Sequence, residues 1–422
     1  MSGARRAKAK PASIMVVTGS RAEFGLLAPV MRAIDRHPHL ALQVVAAGSH
    51  LLGTRPTLAE VRARFPVAAT VPMQRARSIR TPHTPHTRRA DALAVARGIA
   101  GFTKVMDRLE PDAVLVLGDR IEAFAAATAA ALRGVVVAHV HGGDRAEGIA
   151  DESMRHAISK LAHVHFAASA QSAARLARMG EHAWRIHCSG SPGIDDLARI
   201  PVLSAARWAE LGRPRVVMLL HPAGLSEREE QRTALACLRM ALHLQPASIR
   251  SGEAVGSPPR PMWLAPNADA GREAIAYVQG VAAAAGVVTA CEHLPRAEFV
   301  GLLKRMARDC AAGRPAALVG NSSAGLIEAA AIGVPVINVG PRQAGRQRAG
   351  RVVEVPGLAA SMWQGAVRQI ERWAKAGPTK GSGKPHPYGD GHAGERITEV
   401  LAGLRLDDPA SVARLIRKQN AD

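Results

Sequence analysis

The stretch that most constrains the fold runs from Asp112 to Phe166, DAVLVLGDRIEAFAAATAAALRGVVVAHVHGGDRAEGIADESMRHAISKLAHVHF. Ala113–Gly118 is a short apolar run that stops on Gly118-Asp119-Arg120, and Val135–Val140 is a second that stops on His141-Gly142-Gly143-Asp144. Continuous apolar runs of this length, separated by a helix-period segment, are the pattern of adjacent parallel strands buried on both faces. In such sheets ligands sit beyond the carboxyl ends of the strands. Both polar turns therefore belong at one sheet edge, facing one ligand. The segment that follows predicts a helix from Glu152 with Asp151 as its N-cap. Met154, Ala157, Ile158 and Leu161 mark its buried face, and Glu152, Arg155, His156, Ser159 and His163 form a polar stripe. A stripe of this kind is either a solvated surface or one wall of a site. Its start beside two turns rich in acid and histidine favours the wall.

The rest of the chain repeats the strand–turn–helix theme. Ile14–Thr18 leads through Gly19-Ser20-Arg21-Ala22-Glu23 into a helix, which points free N–H groups and a positive dipole end at any anion above. The turn lacks G-x-G-x-x-G and G-K-[ST], so it is neither a dinucleotide fingerprint nor a P-loop. Leu40–Ala47 is a further strand, and Arg185–Gly190 leads into Ser191-Pro192-Gly193-Ile194-Asp195. A boundary falls near Leu203–Arg215, punctuated by Pro201, Gly212 and Pro214. Val216–Leu220 then ends on His221-Pro222, and Met262–Ala265 ends on Pro266-Asn267-Ala268-Asp269. Ala316–Val319 opens a second anion cradle, Gly320-Asn321-Ser322-Ser323-Ala324-Gly325, before a helix carrying Glu328. The run Pro335–Gly340 ends on Pro341-Arg342.

Composition narrows the classes. The chain has 422 residues and a 47% hydrophobic fraction, ample for two cores. No apolar run approaches the ~18 residues of a membrane span, and the basic head (residues 1–12) is not built as a secretory signal. Four scattered cysteines, Cys188, Cys237, Cys291 and Cys310, suit reduced, buried thiols in a cytoplasmic protein. The net charge of +20 invites a polyanion, yet aromatics make up only 3% of the chain, leaving little for base stacking. No specific nucleic-acid partner is expected. His83 and His86, on a Pro- and Thr-rich stretch without a nearby carboxylate, make a poor metal site. The expectation is no metal and no cofactor.

The strings GDRIE (118–122), HVHGGD (139–144), DESMRHAISKLAHVHF (151–166), GNSSAGLIEA (320–329), the Gly19–Gly25 turn and the Ser191–Asp195 turn resemble the hydrolysing UDP-N-acetylglucosamine 2-epimerases. The likeness spans about Ile14 to Leu404. It implies an α/β fold of two Rossmann-like domains in the glycosyltransferase-B arrangement, with a nucleotide sugar in the cleft. The domains would be 13–203, catalytic, and 204–376, UDP-binding. Residues 377–404 would be a linker and terminal helix packing back on the first domain; to 405–422 the resemblance assigns nothing. The implied reaction converts a UDP-2-acetamido sugar to UDP and the free C2-epimerised sugar through a 2-acetamidoglycal, in a homo-oligomer (dimer or tetramer).

The catalytic positions implied are Asp119, His141 and Asp151, with Glu152 and Arg155 beside them. Arg155 would orient a carboxylate or contact the substrate. Many relatives carry Glu where this chain has His141, so Asp144 or Glu152 is an alternative bearer of that acid/base role. Arg21, Arg120, His221, Asn267, Ser322, Ser323, Glu328 and Arg342 are the implied substrate-binding residues, with Arg21 near the diphosphate and Glu328 toward the ribose. Rivals are a non-hydrolysing 2-epimerase or a glycosyltransferase of the same fold, and, in another class, an inert UDP-sugar or polyanion binder.

Overall fold

The computed structural model describes residues 10–52, 57–74, 88–146, 150–245, 259–267, 269–357, 360–377 and 386–421. The greater part of the basic head, the H-x-x-H stretch and much of the Gly/Ser/Pro-rich segments after 245 and 377 lie outside these residues. So does the side chain of Asp151, although its backbone is helical.

Two parallel sheets organise the chain. The first orders its strands β3-β2-β1-β4-β5-β6-β7. They are β1 (Ala12–Thr18), β2 (Leu40–Ala47), β3 (Val67–Val71), β4 (Ala113–Leu117), β5 (Val136–Val140), β6 (Val164–Ala167) and β7 (Ile186–Cys188). The second orders β10-β9-β8-β11-β12-β13, from β8 (Val216–Leu219), β9 (Met262–Leu264), β10 (Thr289–Cys291), β11 (Ala317–Gly320), β12 (Val336–Val339) and β13 (Val352–Val355). Every strand pairing is parallel. The strands of β4 and β5 are buried along their whole length, because helices cover both faces, which is why they read as unbroken apolar runs. Strand order reverses between β1 and β4 and between β8 and β11, the two positions where an α/β sheet opens a crevice.

Seven of the twelve residues of helix Ile121–Leu132 are alanine, and residues 125–127 and 129–130 are buried. Small side chains let it lie close to helix Arg88–Leu109, where a Cβ on Gly98 would meet Ala125 at 2.8 Å and Met73 at 2.7 Å. Helix Ala393–Gly403 returns to the first sheet, and Ile397 and Leu401 join its core. Asp195 fixes its start by accepting from the N–H groups of Ala393 (3.0 Å) and Gly394 (2.7 Å).

Three sequence expectations are corrected. Helix Ala150–Leu161 starts before Asp151, so Asp151 sits in the first turn and is not the N-cap. The expected apolar face is buried only in part: Ile158 is fully buried, but Met154, Ala157 and Leu161 are partly exposed, while Arg155 and Ser159 of the polar stripe are buried. Polar partners supplied by the sheet edge make this burial tolerable. Among the cysteines, Cys188 is exposed and Cys291 half-buried. The terminal segment, which the sequence left blank, carries helix Pro409–Ile416.

Candidate active site

The turn after β4 reverses through Gly118 at φ +75°, a conformation that glycine adopts without penalty. It delivers Asp119 to the sheet edge and leaves Arg120 as N-cap of the next helix. The turn after β5 begins with His141 at φ +66°, a strained position for a residue with a Cβ. Two side-chain bonds hold it there. His141 Nδ1 lies 3.0 Å from Asp144 Oδ2, and Nε2 lies 2.9 Å from the Ser191 hydroxyl. Gly143 must be glycine, since a Cβ would come within 2.3 Å of the Ser172 carbonyl oxygen.

Asp144 is almost fully buried. Burial alone would raise its pKa, but the charge and hydrogen bond of His141, the Arg346 guanidinium at 3.7 Å and the Ser172 hydroxyl at 2.7 Å outweigh it and hold the carboxyl at about 2. The carboxylate therefore accepts from His141 Nδ1–H. Ser191 Oγ also accepts from Gly193 N–H at 3.1 Å, which fixes the hydroxyl beside the ring. His141 thus has both ring nitrogens engaged by protein.

Helix Ala150–Leu161 closes the third side. Arg155, buried, forms an ion pair with Asp119 and donates from Nη1 to the Asp144 carbonyl oxygen at 3.2 Å. Burial and then the nearby charges of Arg346, Arg342 and Arg175 push its pKa well down, but a guanidinium stays protonated at any working pH. Asp119, Asp144, His141 and Arg155 are thereby brought together. Glu152 is not among them. It turns to the Ala146 N–H (3.3 Å), Arg145 (3.9 Å) and His156 (3.5 Å), bracing the loop before its own helix.

Opposite, the second sheet presents His221, Asn267 and Arg342. Burial first, then the charge of Arg342, pushes the His221 imidazole down to about 3, so it is neutral. Its Nδ1 accepts from the Asn267 N–H at 3.2 Å, which places the ring hydrogen on Nε2 as a donor. Asp269, absent from the sequence-based set, links the two halves. It lies 3.7 Å from Arg120 of the first sheet and 3.4 Å from Arg342 of the second. Burial opposes its ionisation, but Arg120, Arg342 and His221 prevail and lower its pKa.

The second cradle follows β11. Gly320 at φ +146° packs so tightly that a Cβ would stand 2.1 Å from the Leu219 carbonyl oxygen. Ser322 is buried, Ser323 half-buried, and the following turn, Gly325–Ala329, is a π-helix, a local widening frequent at functional sites. Glu328 within it is ion-paired with Arg296, which also donates to the Gly193 carbonyl oxygen. Arg296 is a second residue that sequence reasoning missed; nothing in its local pattern marks it. Arg21 pairs with Glu60 at 2.6 Å, and its Nε and Nη1 are buried without a partner among the described residues.

The family model described as UDP-N-acetylglucosamine 2-epimerase matches residues 32–402. The chain belongs to this family. It is 31% identical over 414 residues to the UDP-N,N'-diacetylbacillosamine 2-epimerase (hydrolyzing) of Legionella pneumophila, covering 97% of this chain and 99% of that one. It is also 31% identical over 339 residues to a UDP-N-acetylglucosamine 2-epimerase of Neisseria meningitidis serogroup B, covering 79% and 81% of the two chains. Among solved structures, the N. meningitidis UDP-GlcNAc 2-epimerase bound to UDP-GlcNAc superposes with a TM-score of 0.68 at 19% identity, covering 93% of this chain and all of that one. That last likeness establishes the shared fold: two parallel-sheet α/β halves of glycosyltransferase-B type. Membership makes this chain an enzyme of the UDP-N-acetylglucosamine 2-epimerase family and sets aside the inert-binder reading.

Proposed function

We propose that the protein hydrolyses a UDP-2-acetamido sugar with inversion at C2, releasing UDP and the free manno-configured sugar. The observation that carries this reading is the pairing of two chemically different walls: carboxylates with Arg155 and His141 on the first sheet, and a neutral His221 with Arg342 and the Ser322–Gly325 cradle on the second. Similarity over nearly the whole length to a relative named as hydrolyzing supports it.

In the proposed reaction the C1–O bond to UDP breaks ahead of proton loss, since the C2 hydrogen is hardly acidic. Positive charge then develops at C1 and the ring oxygen, and Asp119 and Asp151 supply the negative field that favours it. A base removes the C2 proton, the electron pair forms the C1–C2 double bond of a 2-acetamidoglycal, and the bond electrons leave with UDP. Water then adds its hydroxyl at C1 while a proton returns to C2 from the opposite face. Of the groups near position 141, Asp144 is the carboxylate and His141 its proton-holding neighbour, so the pair acts together in this step. Arg21, Arg120 and Arg342 neutralise the diphosphate, and His221 donates Nε2–H to it. Asn267, Ser322 and Ser323 add polar contacts to the nucleotide. Glu328, steadied by Arg296, accepts from the ribose hydroxyls. The enzyme works as a homo-oligomer in the cytoplasm. Among the described residues no helix is long and apolar enough to cross a membrane.

The equally identical N. meningitidis relative, whose name does not specify hydrolysis, supports a second reading, in which UDP stays attached and the product is the epimeric UDP-sugar. Incubating purified protein with UDP-N-acetylglucosamine and with its 2,4-diacetamido-trideoxy analogue, and following both by NMR, separates the two. Free sugar with equimolar UDP is expected; an epimeric UDP-sugar establishes the second reading instead.

A further inference from the structure

Residues 405–421 lie beyond the span matched by the family model, yet they are built into the first half of the molecule. Leu406 and Leu415 are buried in its core, with Val412 and Ile416 packed alongside. Arg185, buried, gathers the end of helix Pro409–Ile416. Its Nη1 donates to the carbonyl oxygens of Leu415 (2.8 Å) and His163 (2.9 Å), and its Nη2 to those of Arg414 (3.3 Å) and Arg417 (3.2 Å). These bonds satisfy carbonyls that a helix terminus leaves open. The Ala421 N–H donates to Gly180 at 2.8 Å.

So held, the segment presents Lys418 to the far end of helix Ala150–Leu161. Lys418 Nζ lies 2.9 Å from the Ser159 carbonyl oxygen and 2.8 Å from those of Lys160 and Ala162. It also lies 2.8 Å from Glu181, a fully buried carboxylate shared with His165 (2.9 Å) and Lys160 (3.1 Å). A cation on the last carbonyls of a helix complements its dipole. Asn420 accepts from Lys160 at 2.8 Å.

Two routes lead from that clamp to the carboxylate at the sheet edge. Arg155, one turn before Ser159, pairs with Asp119. The Ser159 hydroxyl lies 3.2 Å from His139 Nδ1, and His139 Nε2 lies 2.8 Å from the Gly118 carbonyl oxygen. A carbonyl only accepts, so Nε2 carries the ring hydrogen and Nδ1 accepts from Ser159. The bond ends on the residue before Asp119. Burial pushes His139 down to about 3, so this link stays neutral and intact across the physiological range.

We propose that Lys418 is a positioning residue: by docking the C-terminal segment onto the last turn of helix Ala150–Leu161, it fixes Arg155 and, through Ser159 and His139, the Asp119 turn. The kinetic consequence rests on the reaction proposed above; the structural consequence does not. The test uses full-length Lys418→Met, Lys418→Arg and Ser159→Ala. Amide hydrogen exchange is read over residues 150–161, with β8 as internal control, beside kcat, KM and UDP affinity.

Lys418→Met should exchange faster in 150–161 with β8 unchanged. Its kcat should fall by about ten- to a hundredfold, the range expected when reacting groups shift by a fraction of an ångström to an ångström, while UDP affinity holds. Lys418→Arg should recover most of the activity, and combining Lys418→Met with Asp119→Asn should cost less than the product of the two losses. Wild-type exchange in 150–161 for Lys418→Met, or UDP affinity falling in step with kcat, overturns the proposal. Should Lys418→Met not fold, Ser159→Ala decides: unchanged kcat overturns it and a reduced kcat with unchanged UDP affinity sustains it. Should the wild type turn over no UDP-sugar, the proposed reaction fails, and the exchange comparison alone still decides the clamp.

Discussion

Arg155 and Asp119 meet as an ion pair at the carboxyl end of β4, the arginine buried and the carboxylate one-fifth exposed. The exposed side of that carboxylate is what a substrate can reach, and the buried guanidinium orients it.

Replacing Asp119 with Asn keeps the size and removes the charge. Turnover of a UDP-2-acetamido sugar should fall by about two to four powers of ten. UDP affinity, measured by titration calorimetry, should stay near wild type, because Asp119 itself is not among the proposed nucleotide contacts. Equal losses in both would move Asp119 out of the chemistry.

The nucleotide wall gives a complementary expectation. Arg342→Met and Ser323→Ala should each weaken UDP binding, by roughly 1–3 kcal/mol where a charged or buried partner loses its hydrogen bond, with little effect on turnover at saturating substrate. Calorimetry with UDP alone checks it, and unchanged affinity in both variants would place the nucleotide elsewhere.

Asp144 should leave a mark on acid stability. Its carboxyl is held at about 2, against an ordinary value of 3.8. The folded state therefore gains stability from its ionisation above pH ~4 and loses it as pH falls toward 2. The amount is on the order of 2 kcal/mol. Asp144→Asn should unfold with a flatter pH dependence across that window, followed by circular dichroism in denaturant at each pH. A profile parallel to wild type would contradict this.

Glu23 should act in the opposite sense. Burial foremost, with the neighbouring charge of Glu122, raises it from 4.5 to about 8, and one oxygen is buried without a partner while the other accepts from Gly19 N–H at 2.8 Å. A raised carboxyl favours the folded state while protonated, and that advantage is lost as pH climbs from 4.5 through 8. Glu23→Gln cannot ionise, so its thermal midpoint should exceed wild type at pH 9 and approach it near pH 4. A gap that does not grow with pH would contradict the assignment.

The local chemistry of the site was legible in the sequence because each polar turn follows an apolar strand, and strand plus Gly-rich turn fixes which residues reach the sheet edge. Asp119, His141, His221 and Arg342 were placed at strand ends in that way, and their roles came from the family resemblance. Contacts closed through space were not legible. Ser191 meets His141 across 50 positions and Arg296 meets Glu328 across 32, and no local period encodes either. Asp269 stood in a quoted turn, but its role between Arg120 and Arg342 depends on how the two sheets face each other. In helix Ala150–Leu161 the polar stripe reads as a wall from its place beside two polar turns, but the partners it meets are not readable there. It faces Asp119 and His139, and apolar periodicity does not register partners of that kind.

The central claim, elimination to a 2-acetamidoglycal followed by hydration, is tested most directly by running the reaction in deuterated water and reading C2 of the released sugar by proton NMR. The account predicts free C2-epimerised sugar carrying deuterium at C2, with UDP formed in equal amount, because the proton taken from C2 is replaced from solvent. Free sugar that keeps its original C2 hydrogen would contradict it.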